Sequence, residues 1–490
     1  MNKIRVRFAP SPTGYLHIGS LRTALYNFLF AKKEQGDFLL RIEDTDQKRF
    51  VEGAEENLLK TLKWAGINWD NEKIVKQSER LEVYTKYADQ LIKDGHAYYC
   101  FCTAERLEEM RAEQTAQKKP PLYDRHCLNL SEEEVKKNLE NKVPFVIRLK
   151  IPRDETIEFE DLIRGKVQFK TDLIDDQVIL KSDGFPTYHL ASVVDDHEME
   201  ISHVIRGEEW LSSTPKHILL YRFLGWEAPK FAHLPLLLNS DKSKLSKRQG
   251  DVAVEDYIEK GYIKEALINF VAFLGWNPGG GETKEIFTVN ELIKKFDLSH
   301  IHKAGAVCDL KKLDWINSQW IKKIDLDDLY ERALPYYEKF LGTFPSPLTP
   351  LPKGEEESKN FLKKVLFIER ERLEKLSEVG ESNKFFFQDI DCDKELLRWK
   401  EMDDDQLKES LNKAVDILES IFEKDWVLDN LEKILMEAAG DKRGEFLWPL
   451  RVALSGEQKS PSPFECAWVL GKEESLKRVN KALIKLKNKS

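Results

Sequence analysis

Residues 4–20 read IRVRFAPSPTGYLHIGS, and this stretch decides the fold. Its first five residues alternate apolar and basic side chains, which is the period of a β-strand with one apolar face. The prolines and the glycine of PSPTG then interrupt regular structure, and apolar residues recur at helical spacing from Leu21 to Leu29. We therefore predict a strand, a loop and a helix that ends near Gly36.

A second strand is expected after this helix. The apolar run Phe38-Leu39-Leu40 leads directly into RIEDTD, so this strand delivers Glu43 and Asp44 at its carboxyl end. Strands that alternate with helices predict a parallel sheet, and the ligands of such sheets bind beyond the carboxyl ends of the strands. The N-terminal region is therefore predicted to be an α/β, Rossmann-like nucleotide-binding domain.

The pattern changes along the rest of the chain. Strand-like segments such as VPFVIRLKI between about Tyr99 and Pro186 indicate an inserted α+β module, whereas amphipathic helical patterns dominate beyond Lys323. The proline-rich and acidic stretch between Phe344 and Glu357 predicts an exposed linker or loop insertion.

The resulting domain boundaries are 1–105 and 188–240 for the two halves of the Rossmann-like domain, 106–187 for the inserted module, 241–322 for a basic loop with a helical domain, and 323–490 for a helical region of two subdomains.

Size and composition exclude several classes of protein. A chain of 490 residues exceeds one ordinary core, and its 41% hydrophobic and 33% charged content suits several soluble domains. The sequence has no apolar run that could span a bilayer, no signal-peptide core and no dense cysteine framework, which together predict a cytoplasmic location without membrane insertion. The net charge of −9 argues against a uniformly basic nucleic-acid binder, and the lysine-rich tail from Ser475 to Ser490 is expected to be a solvated helix.

The loop before the first helix has the features of a phosphate site. Backbone N–H groups and the positive end of the helix dipole can receive an anion there, and Gly19 allows a nucleotide to approach closely. His17 could donate a hydrogen bond to phosphate oxygens as charge moves in a transition state. Taken alone, however, a histidine at this position is more often a surface or capping group.

A second basic segment lies more than 220 residues further along the chain. It reads DKSKLSKRQG at 241–250, so four cations alternate with serines and end at a glycine. Such a loop can fold over a triphosphate, with Lys244 and Lys247 neutralising its charge. The alternative is a solvated basic loop, which is the usual role of such a run.

A cysteine cluster is the metal site that the sequence suggests. Cys100 and Cys102 lie two residues apart and Cys127 follows after a loop, which fits a tetrahedral zinc site if one further ligand is supplied. The alternative is three reduced structural cysteines. The isolated Cys308 and Cys392, like Cys466, are expected to be buried thiols.

Together, the two basic and glycine-containing segments resemble the signature motifs of class I aminoacyl-tRNA synthetases. HIGS stands for the HIGH motif, with Ser20 replacing its last histidine, and KLSKR stands for the KMSKS motif. Five segments in the family's order resemble the bacterial-type glutamyl-tRNA synthetases across nearly the whole chain: FAPSPTG, RIEDTD, TYHLASVVDDHEM, VIRGEEW and HLPLLLNSDKSKLSKR. The resemblance implies a Rossmann-like class I catalytic domain with an inserted α+β acceptor-binding module, followed by an all-α anticodon-binding region. The helical C-terminal third favours the bacterial type, because glutaminyl and eukaryotic-type relatives end in β-barrels.

The resemblance also implies an activity and its site. It implies a glutamate–tRNA ligase that activates L-glutamate with ATP and Mg²⁺ and then transfers it to the terminal adenosine of tRNA(Glu), as a monomer. The residues implied in catalysis and ATP binding are His17, Gly19, Ser20, Lys244, Ser246 and Lys247. The residues implied in glutamate binding are Arg7, Ser11, Glu43, Tyr188 and Arg206.

Physical chemistry agrees with an arginine in such a pocket. A buried guanidinium pairs with a carboxylate through two hydrogen bonds, whereas the amide of glutamine leaves the cation underpaired at a cost of about 1–3 kcal/mol or more. Glu43 suits the ammonium group of the substrate for the opposite reason. Many relatives carry asparagine where Ser192 stands, so a contact at that position is expected to be shorter or water-mediated here.

Two further sets of residues follow from the resemblance. Some members bind zinc through Cys-x-Cys and Tyr-x₃-Cys, which adds Tyr123 to the three cysteines, whereas others use a histidine at the position of Asn129. Arg451, in WPLRVALSG, and Arg372 correspond to anticodon contacts, because single-stranded RNA is read by stacking and hydrogen bonding to bases. A surface arginine is the alternative for both.

Four other functions can be weighed against this prediction. A glutaminyl enzyme requires a strand-rich C-terminal half, and a short tRNA-modifying relative ends before the anticodon region. A non-discriminating form would also charge tRNA(Gln). A non-catalytic tRNA-binding paralogue fits least, because His17, Lys244 and Lys247 are all present.

Overall fold

The computed structural model describes residues 3–245, 253–343 and 354–487. The chain divides into two compact units, of which the first comprises Met1–Ile258 and Lys264–Leu313, and the second comprises Glu259–Ile263 and Asp314–Ser490. A transmembrane helix is absent from the described residues, since none of their helices combines sufficient length with sufficient hydropathy. The boundaries assigned above to functional domains stay predictions.

The first unit contains all the strands that the structure describes. They are β1 Arg5–Phe8, β2 Asp37–Ile42, β3 Val75–Lys76, β4 Ala97–Cys100, β5 Val146–Leu149, β6 Thr156–Asp161, β7 Gly165–Lys170, β8 Val178–Leu180, β9 His203–Gly207, β10 Lys230–Leu234, β11 Leu237–Leu238 and β12 Ala306–Val307. The helices up to residue 295 are α1 Ile18–Lys33, α2 Ala54–Trp64, α3 Leu81–Lys93, α4 Ala104–Ala116, α5 Glu132–Glu140, α6 Tyr188–Glu198, α7 Thr214–Phe223, α8 Val254–Glu259, α9 Lys264–Ala272 and α10 Val289–Lys295.

Helices make up the rest of the regular structure. From residue 310 onward they are α11 Leu310–Ile321, α12 Leu326–Leu341, α13 Glu355–Glu369, α14 Asp404–Ser420, α15 Leu428–Ala439, α16 Arg443–Ser455 and α17 Pro463–Lys487. Both the predicted α/β fold of the N-terminal region and the predicted helical C-terminal region are therefore confirmed.

The strand, loop and helix predicted at the N-terminus are present. β1 pairs in parallel with β2, with Val6 opposite Phe38, and β2 pairs in parallel with β3. The alternation of β1 buries Val6 and Phe8, and α1 buries its apolar face from Leu21 onward. This arrangement places the loop before α1 next to the carboxyl ends of β1 and β2.

A four-stranded sheet combines two strands of the predicted inserted module, β6 and β7, with two strands of the predicted second half of the nucleotide domain, β9 and β10. Its order is β7-β6-β10-β9, with β6, β10 and β9 parallel and β7 antiparallel to β6. In this register Arg206 of β9 lies opposite His233 of β10, and Asp161 ends β6 opposite Phe231. The carboxyl ends of three parallel strands therefore bring polar residues together.

An antiparallel sheet with the order β4-β5-β8 joins β4, which precedes the predicted inserted module, to two strands of that module. Strand β5 lies within the predicted VPFVIRLKI segment. Cys100 is the last residue of β4, so the cysteine cluster begins where this sheet ends.

The second unit is a helical bundle in which α14, α16 and α17 pack against one another. Leu411, Leu454 and Ala482 are fully buried there. α17 contains a break at Gly471, whose φ of 77° lies in the left-handed region that glycine adopts without strain.

The linker predicted between Phe344 and Glu357 is wrong at its acidic end. Glu355, Glu356 and Glu357 form the first turn of α13, where negative charge is favoured by the helix dipole. The acidic run therefore begins a helix. The proline-rich part, residues 344–353, lies outside the described residues.

Candidate functional site

A cleft of about 800 Å³ lies in the first unit. Loops after β1, β2 and β9 and the start of α6 supply its walls, which is the position expected for a ligand of a parallel sheet. The predicted site residues that line the cleft are Arg7, Ser11, His17, Ser20, Glu43, Tyr188 and Arg206. Gly19 and Lys244 are not among the lining residues, and Ser246 and Lys247 lie outside the described part of the chain.

His17 is both the N-cap of α1 and a wall of the cleft. Its Nδ1 accepts a hydrogen bond from the Gly19 N–H at 2.9 Å. A neutral ring in this orientation carries its proton on Nε2 and can donate it. A side chain at position 19 would place its Cβ 3.2 Å from Nδ1, so Gly19 leaves room for the cap.

The N-terminus of α1 suits an anion. Its first turn contains no acidic residue, so the positive end of the dipole is not neutralised locally. Ser20 lies in this first turn and lines the cleft. These features fit an anion at this end of the cleft.

Lys244 is exposed and follows a tight turn. Asp241 builds the turn by accepting hydrogen bonds from the Ser243 N–H at 2.8 Å and from its hydroxyl at 2.6 Å. Lys244 then forms an antiparallel bridge with Leu238 of β11. The described half of the basic loop is thus anchored to a strand of the first unit.

An ionic network lies beneath the cleft. Arg7 donates from Nε to Asp196 at 2.9 Å, and Arg41 donates to the same carboxylate at 2.7 Å and to Glu43 at 2.9 Å. Asp195 accepts from Arg80 at 2.9 Å and lies 3.8 Å from Arg41. All of these side chains except Arg80 are buried.

The pKa values of Glu43 and Asp196 in this network are shifted in opposite directions. Burial raises the pKa of Glu43, and Arg41 and Arg7 offset that effect only in part. Burial would also raise the pKa of Asp196, but Arg7 and Arg41 outweigh it and hold the pKa below its ordinary value. Of these two carboxyl groups, Glu43 is therefore the one whose ionised form is less well stabilised by the arginines and would benefit more from a further cation in the cleft.

Arg206 lies on the other side of the cleft and is only 5% exposed. Its guanidinium donates to the Tyr188 hydroxyl at 2.9 Å, to the Thr214 hydroxyl at 2.9 Å and to His233 Nε2 at 3.1 Å. The Trp210 carbonyl accepts a longer bond of 3.4 Å. Among the described residues, no carboxylate lies within 4 Å of this cation, so its charge faces only neutral acceptors.

The histidines around Arg206 are held neutral. Burial lowers the pKa of His217 to well below its ordinary value, and burial also lowers the pKa of His189 to about 3. Tyr188 stacks against Trp210 with ring centres 4.2 Å apart. An aromatic wall and neutral imidazoles thus surround an uncompensated buried cation.

Ser192 is fully buried on α6, and its hydroxyl has no hydrogen-bond partner among the described residues. It does not line the cleft. The expectation of a shorter or water-mediated contact at this position therefore stays a prediction.

The predicted zinc ligands come together at the end of β4. The sulphurs of Cys100, Cys102 and Cys127 all lie within 4.8 Å of one another. The Tyr123 hydroxyl lies 3.3 Å from the first sulphur and 3.2 Å from the second. The hydrogen bond with Cys127 lowers the pKa of the Cys100 thiol. Three thiols and one phenol thus converge, which is the donor number of a tetrahedral site.

The two arginines assigned to the anticodon both lie in the second unit. Arg451 of α16 stacks over Trp448 at 4.5 Å from the ring centre and donates to the Gln458 carbonyl at 2.9 Å. Arg372 is exposed in the turn that follows α13. Arg451 is therefore held by an aromatic face, whereas Arg372 extends into solvent.

Sequence reasoning missed several residues of the site. Arg41 and Asp196 complete the ionic network, and Asp161 and His233 support Arg206 from behind. Paired acids in VVDDHEM were visible in the sequence, but their partners lie 111 to 189 residues away along the chain. Asp161 carries no local signal, because its partner His233 lies 72 residues further along the chain.

Comparisons with known proteins agree with this geometry. Residues 3–315 match the catalytic domain model of class I tRNA synthetases of the E and Q type, and residues 328–483 match an anticodon-binding domain. Glutamate–tRNA ligases of Chlorobium chlorochromatii and Clostridium tetani are 49% and 46% identical to this chain, over 98% and 99% of each protein.

A solved structure is also similar over its whole length. The crystal structure of a glutamate tRNA ligase from Elizabethkingia meningosepticum, in complex with its amino acid, has a TM-score of 0.85 and 39% identity. The similarity covers 99% of this chain and 100% of that one. The chain therefore belongs to the glutamate–tRNA ligases, a family of class I aminoacyl-tRNA synthetases.

Proposed function

We propose that this chain activates L-glutamate with ATP and transfers it to the 3′-terminal adenosine of tRNA(Glu). The observation that carries the proposal is the buried guanidinium of Arg206, which lines the cleft without a carboxylate within 4 Å among the described residues. Burying an unpaired charge is costly, so a site that retains one is built to receive the opposite charge. The side-chain carboxylate of glutamate supplies that charge.

The remaining glutamate contacts follow from the opposite wall. Glu43 has one Arg41 hydrogen bond and a raised pKa, so it suits the substrate ammonium group. Arg7 uses Nε and one terminal nitrogen on Asp196, which leaves its other terminal nitrogen for the substrate. Ser11 and Tyr188 line the same cleft and complete the proposed pocket.

ATP is proposed to lie at the N-terminus of α1. His17 and Ser20 line this end of the cleft, and Gly19 permits the histidine cap. Lys244, Ser246 and Lys247 are proposed to neutralise the triphosphate from the basic loop. Mg²⁺ bound with ATP supplies further positive charge to the phosphates. The protein's contribution is positioning and charge stabilisation, since the chemistry requires no protein nucleophile.

The proposal extends to tRNA and to the metal. The inserted module, 106–187, is proposed to contact the acceptor stem, and the region 323–490 the anticodon through Arg451 and Arg372. The segment 241–322 is proposed to contact the stem of the tRNA. Cys100, Cys102, Tyr123 and Cys127 are proposed to hold one structural Zn²⁺, and the protein is proposed to act as a cytoplasmic monomer.

The test is glutamate-dependent exchange of pyrophosphate into ATP, measured with and without tRNA(Glu). We expect exchange with glutamate and no saturable exchange with glutamine. Lys247→Ala is expected to abolish exchange and leave the unfolding temperature unchanged. A wild-type protein that binds tRNA but exchanges no pyrophosphate would be a binding module and would overturn the proposal. Charging of purified tRNA(Glu) and tRNA(Gln) in parallel tests whether the enzyme discriminates between them.

A further inference from the structure

Three polar side chains form a row behind the cleft, one from each of three parallel strands. Arg206 and His233 are opposite each other in the register of β9 and β10, and Asp161 ends the neighbouring strand β6. His233 and Asp161 are fully buried and do not line the cleft. They therefore reach a substrate in the cleft only through Arg206.

The hydrogen bonds in this row allow only one position for the proton of His233. Arg206 Nε can only donate, so His233 Nε2, at 3.1 Å, must accept. The other ring nitrogen, Nδ1, then carries the proton and donates it to Asp161 at 2.6 Å. Thr214 contacts the same Nε2 at 3.1 Å and can donate its hydroxyl there as well. The contact with Arg206 therefore requires a neutral histidine with its proton on Nδ1, and the Thr214 contact is compatible with this tautomer.

Asp161 is fixed by more than the histidine. Its Oδ1 accepts from the Arg164 N–H at 2.8 Å and from the Ile163 N–H at 3.0 Å. Burial alone would raise the pKa of Asp161, but the hydrogen bonds from His233 and these amides lower it. These contacts favour the ionised, acceptor-only form of the carboxylate and fix its orientation toward His233.

A second imidazole completes the set of acceptors. His217 Nδ1 lies 3.3 Å from Arg206 Nη1 and accepts from it, and its Nε2 lies 3.1 Å from His189 Nδ1. With Nδ1 as the acceptor, the proton of His217 is on Nε2 and is donated to His189. Both imidazoles therefore present a lone pair to Arg206, and neither adds charge.

We propose that Asp161 and His233 are positioning residues for glutamate specificity, because they orient Arg206 through a neutral imidazole and leave its positive charge available to the substrate carboxylate. A carboxylate in the place of His233 would pair with Arg206 directly and neutralise it. The neutral imidazole of His233 is oriented by Asp161 and in turn orients Arg206. It also separates the negative charge of Asp161 from the positive charge of Arg206. This inference rests on the proposed function, since it assigns Arg206 the side-chain carboxylate of glutamate.

The first experiment compares Asp161→Asn with Glu160→Gln, its neighbour on the same strand. Glu160 is exposed, so its variant is the matched control for the loss of one negative charge. In Asp161→Asn the introduced amide can donate to His233 Nδ1 and favour the other tautomer, whose Nε2–H opposes Arg206 Nε–H. We expect Asp161→Asn to raise the KM for glutamate about 10- to 100-fold, with kcat and the KM for ATP changed less than about threefold.

The second experiment tests the imidazole itself. His233→Phe removes both ring nitrogens and is expected to raise the KM for glutamate at least as much as Asp161→Asn. His233→Gln keeps an acceptor for Arg206 and a donor for Asp161, so it is expected to recover most of the loss. A purely structural role would not distinguish these two variants by KM at equal unfolding temperature.

A pair of more conservative variants at Thr214 tests the proposal if the proteins with substitutions at Asp161 or His233 do not fold. Thr214→Val removes the hydroxyl that contacts both Arg206 and His233, whereas Thr214→Ser keeps it. We expect a raised KM for glutamate only with valine. The proposal is overturned if wild-type protein activates glutamate while Asp161→Asn, His233→Phe and Thr214→Val all keep its KM. Failure of the wild-type protein to activate glutamate would instead overturn the proposed function.

Discussion

At the residue scale, the two arginines of the cleft differ in how their charge is balanced. Arg7 donates to Asp196 through two nitrogens, whereas Arg206 faces hydroxyls, imidazoles and a carbonyl. A buried cation without a counter-ion costs several kcal/mol of folding free energy, which bound glutamate would offset. Since a ligand stabilises the state that binds it, glutamate should raise the unfolding temperature through Arg206 in particular.

The raised pKa of Glu43 predicts a pH dependence of glutamate binding. The carboxylate must be ionised to accept the substrate ammonium group, and burial keeps it protonated to a higher pH than an ordinary glutamate. We therefore expect the KM for glutamate to rise as pH falls from neutral, beginning above the usual carboxyl range. The measurement is the pH profile of KM in the exchange assay.

Glu43→Gln is the matched control for this profile. Glutamine keeps the size and an acceptor oxygen but cannot ionise, so its KM is expected to be high at every pH. A profile of the variant that still follows the wild type would assign the titration to another group and would contradict the prediction.

Residues in local motifs could be predicted from the sequence, and residues in distant pairs could not. His17, Glu43 and Arg206 each stand in a segment with a recognisable order, and the structure places all three on one cleft. Arg41 and His233 have the same importance for geometry, but their roles depend on sheet register and on partners far along the chain. Neither hydrophobic periodicity nor composition indicates which residues of two neighbouring strands lie opposite each other.

At the element scale, the cysteine cluster joins the end of β4 to the segment before α5. Cys100 ends the strand and Cys127 lies in a short 3₁₀ turn, so a bound metal would cross-link the two ends of the loop that contains α4. We expect the purified protein to contain about one Zn²⁺ per chain, with tetrahedral S₃O coordination. Metal analysis and X-ray absorption spectroscopy measure both.

Cys127→Ser tests this site, with Cys308→Ser as the control thiol in the same unit. Loss of zinc and of tRNA binding affinity is expected only for the first variant, with glutamate binding unchanged. Cys308 is buried and its pKa is raised to about 11 by burial, so its thiol stays protonated and suits packing rather than a metal. Equal zinc content in both variants would contradict the assignment of the ligands.

The end of α13 carries a buried acid that links several parts of the second unit. Glu369 accepts from the Gly380 N–H at 3.0 Å, from Asn383 Nδ2 at 3.0 Å and from the Tyr337 hydroxyl at 3.0 Å. Burial raises its pKa to about 7. Within the described residues, no cation lies within 4 Å of it, so only these hydrogen bonds offset the cost of ionising it, and burial outweighs them.

This raised pKa has a defined effect on stability. Because the folded-state pKa exceeds the unfolded value near 4.5, the stabilisation is fully present below about pH 4.5 and is lost as pH rises to about 7. The difference corresponds to about 3 kcal/mol. We expect Glu369→Gln to raise the unfolding temperature relative to wild type at pH 8, but not at pH 5, in calorimetry of the full chain.

Glu371→Gln is the control for this experiment, since Glu371 is exposed two residues away. It should leave the pH dependence of unfolding as in the wild type. A Glu369→Gln variant whose unfolding temperature falls in parallel with the wild type between pH 5 and 8 would contradict the prediction.

At the scale of whole elements and units, the sequence predicts the helical C-terminal region but not the role of its charges. The acidic run at 355–357 reads as part of a linker, because an acidic run beside prolines is typical of exposed chain. In the structure it starts α13, where the helix dipole favours it. The same charges are therefore compatible with a linker or with a helix start, and only the packing of the following residues decides between them.

For the molecule as a whole, a net charge of −9 must be compatible with binding to an anionic tRNA. The sequence predicts a solvated helix for the lysine-rich tail, and three of the lysines that the structure describes there are paired within the second unit. Lys477, Lys481 and Lys485 contact Glu474, Asp389 and Asp391 at 2.7–2.9 Å. These cations are partly neutralised by protein carboxylates. We therefore expect affinity for tRNA to depend on a small number of local contacts rather than on a general positive surface.

Arg451 is the residue of the second unit that is best prepared for such a contact. Its guanidinium stacks on Trp448, which donates from Nε1 to the Leu396 carbonyl at 2.8 Å, and one of its terminal nitrogens donates to the Gln458 carbonyl at 2.9 Å. A planar cation that is held in place in this way can stack on or hydrogen-bond to an unpaired base. We expect Arg451→Gln to raise the KM for tRNA(Glu) by about 10-fold or more, with the KM for glutamate unchanged.

Lys459→Gln removes the same charge from an exposed position eight residues away and separates base recognition from general attraction. A base contact predicts that Arg451→Gln costs affinity with native tRNA(Glu) but little with a transcript whose contacted anticodon base is replaced. A phosphate contact predicts equal losses on both transcripts and a shallower dependence of affinity on salt, by about 0.7 in the logarithmic slope. Charging kinetics of both variants on both transcripts, at two salt concentrations, distinguish these outcomes. Equal losses for Arg451→Gln and Lys459→Gln would show that the stacked guanidinium contributes only its charge.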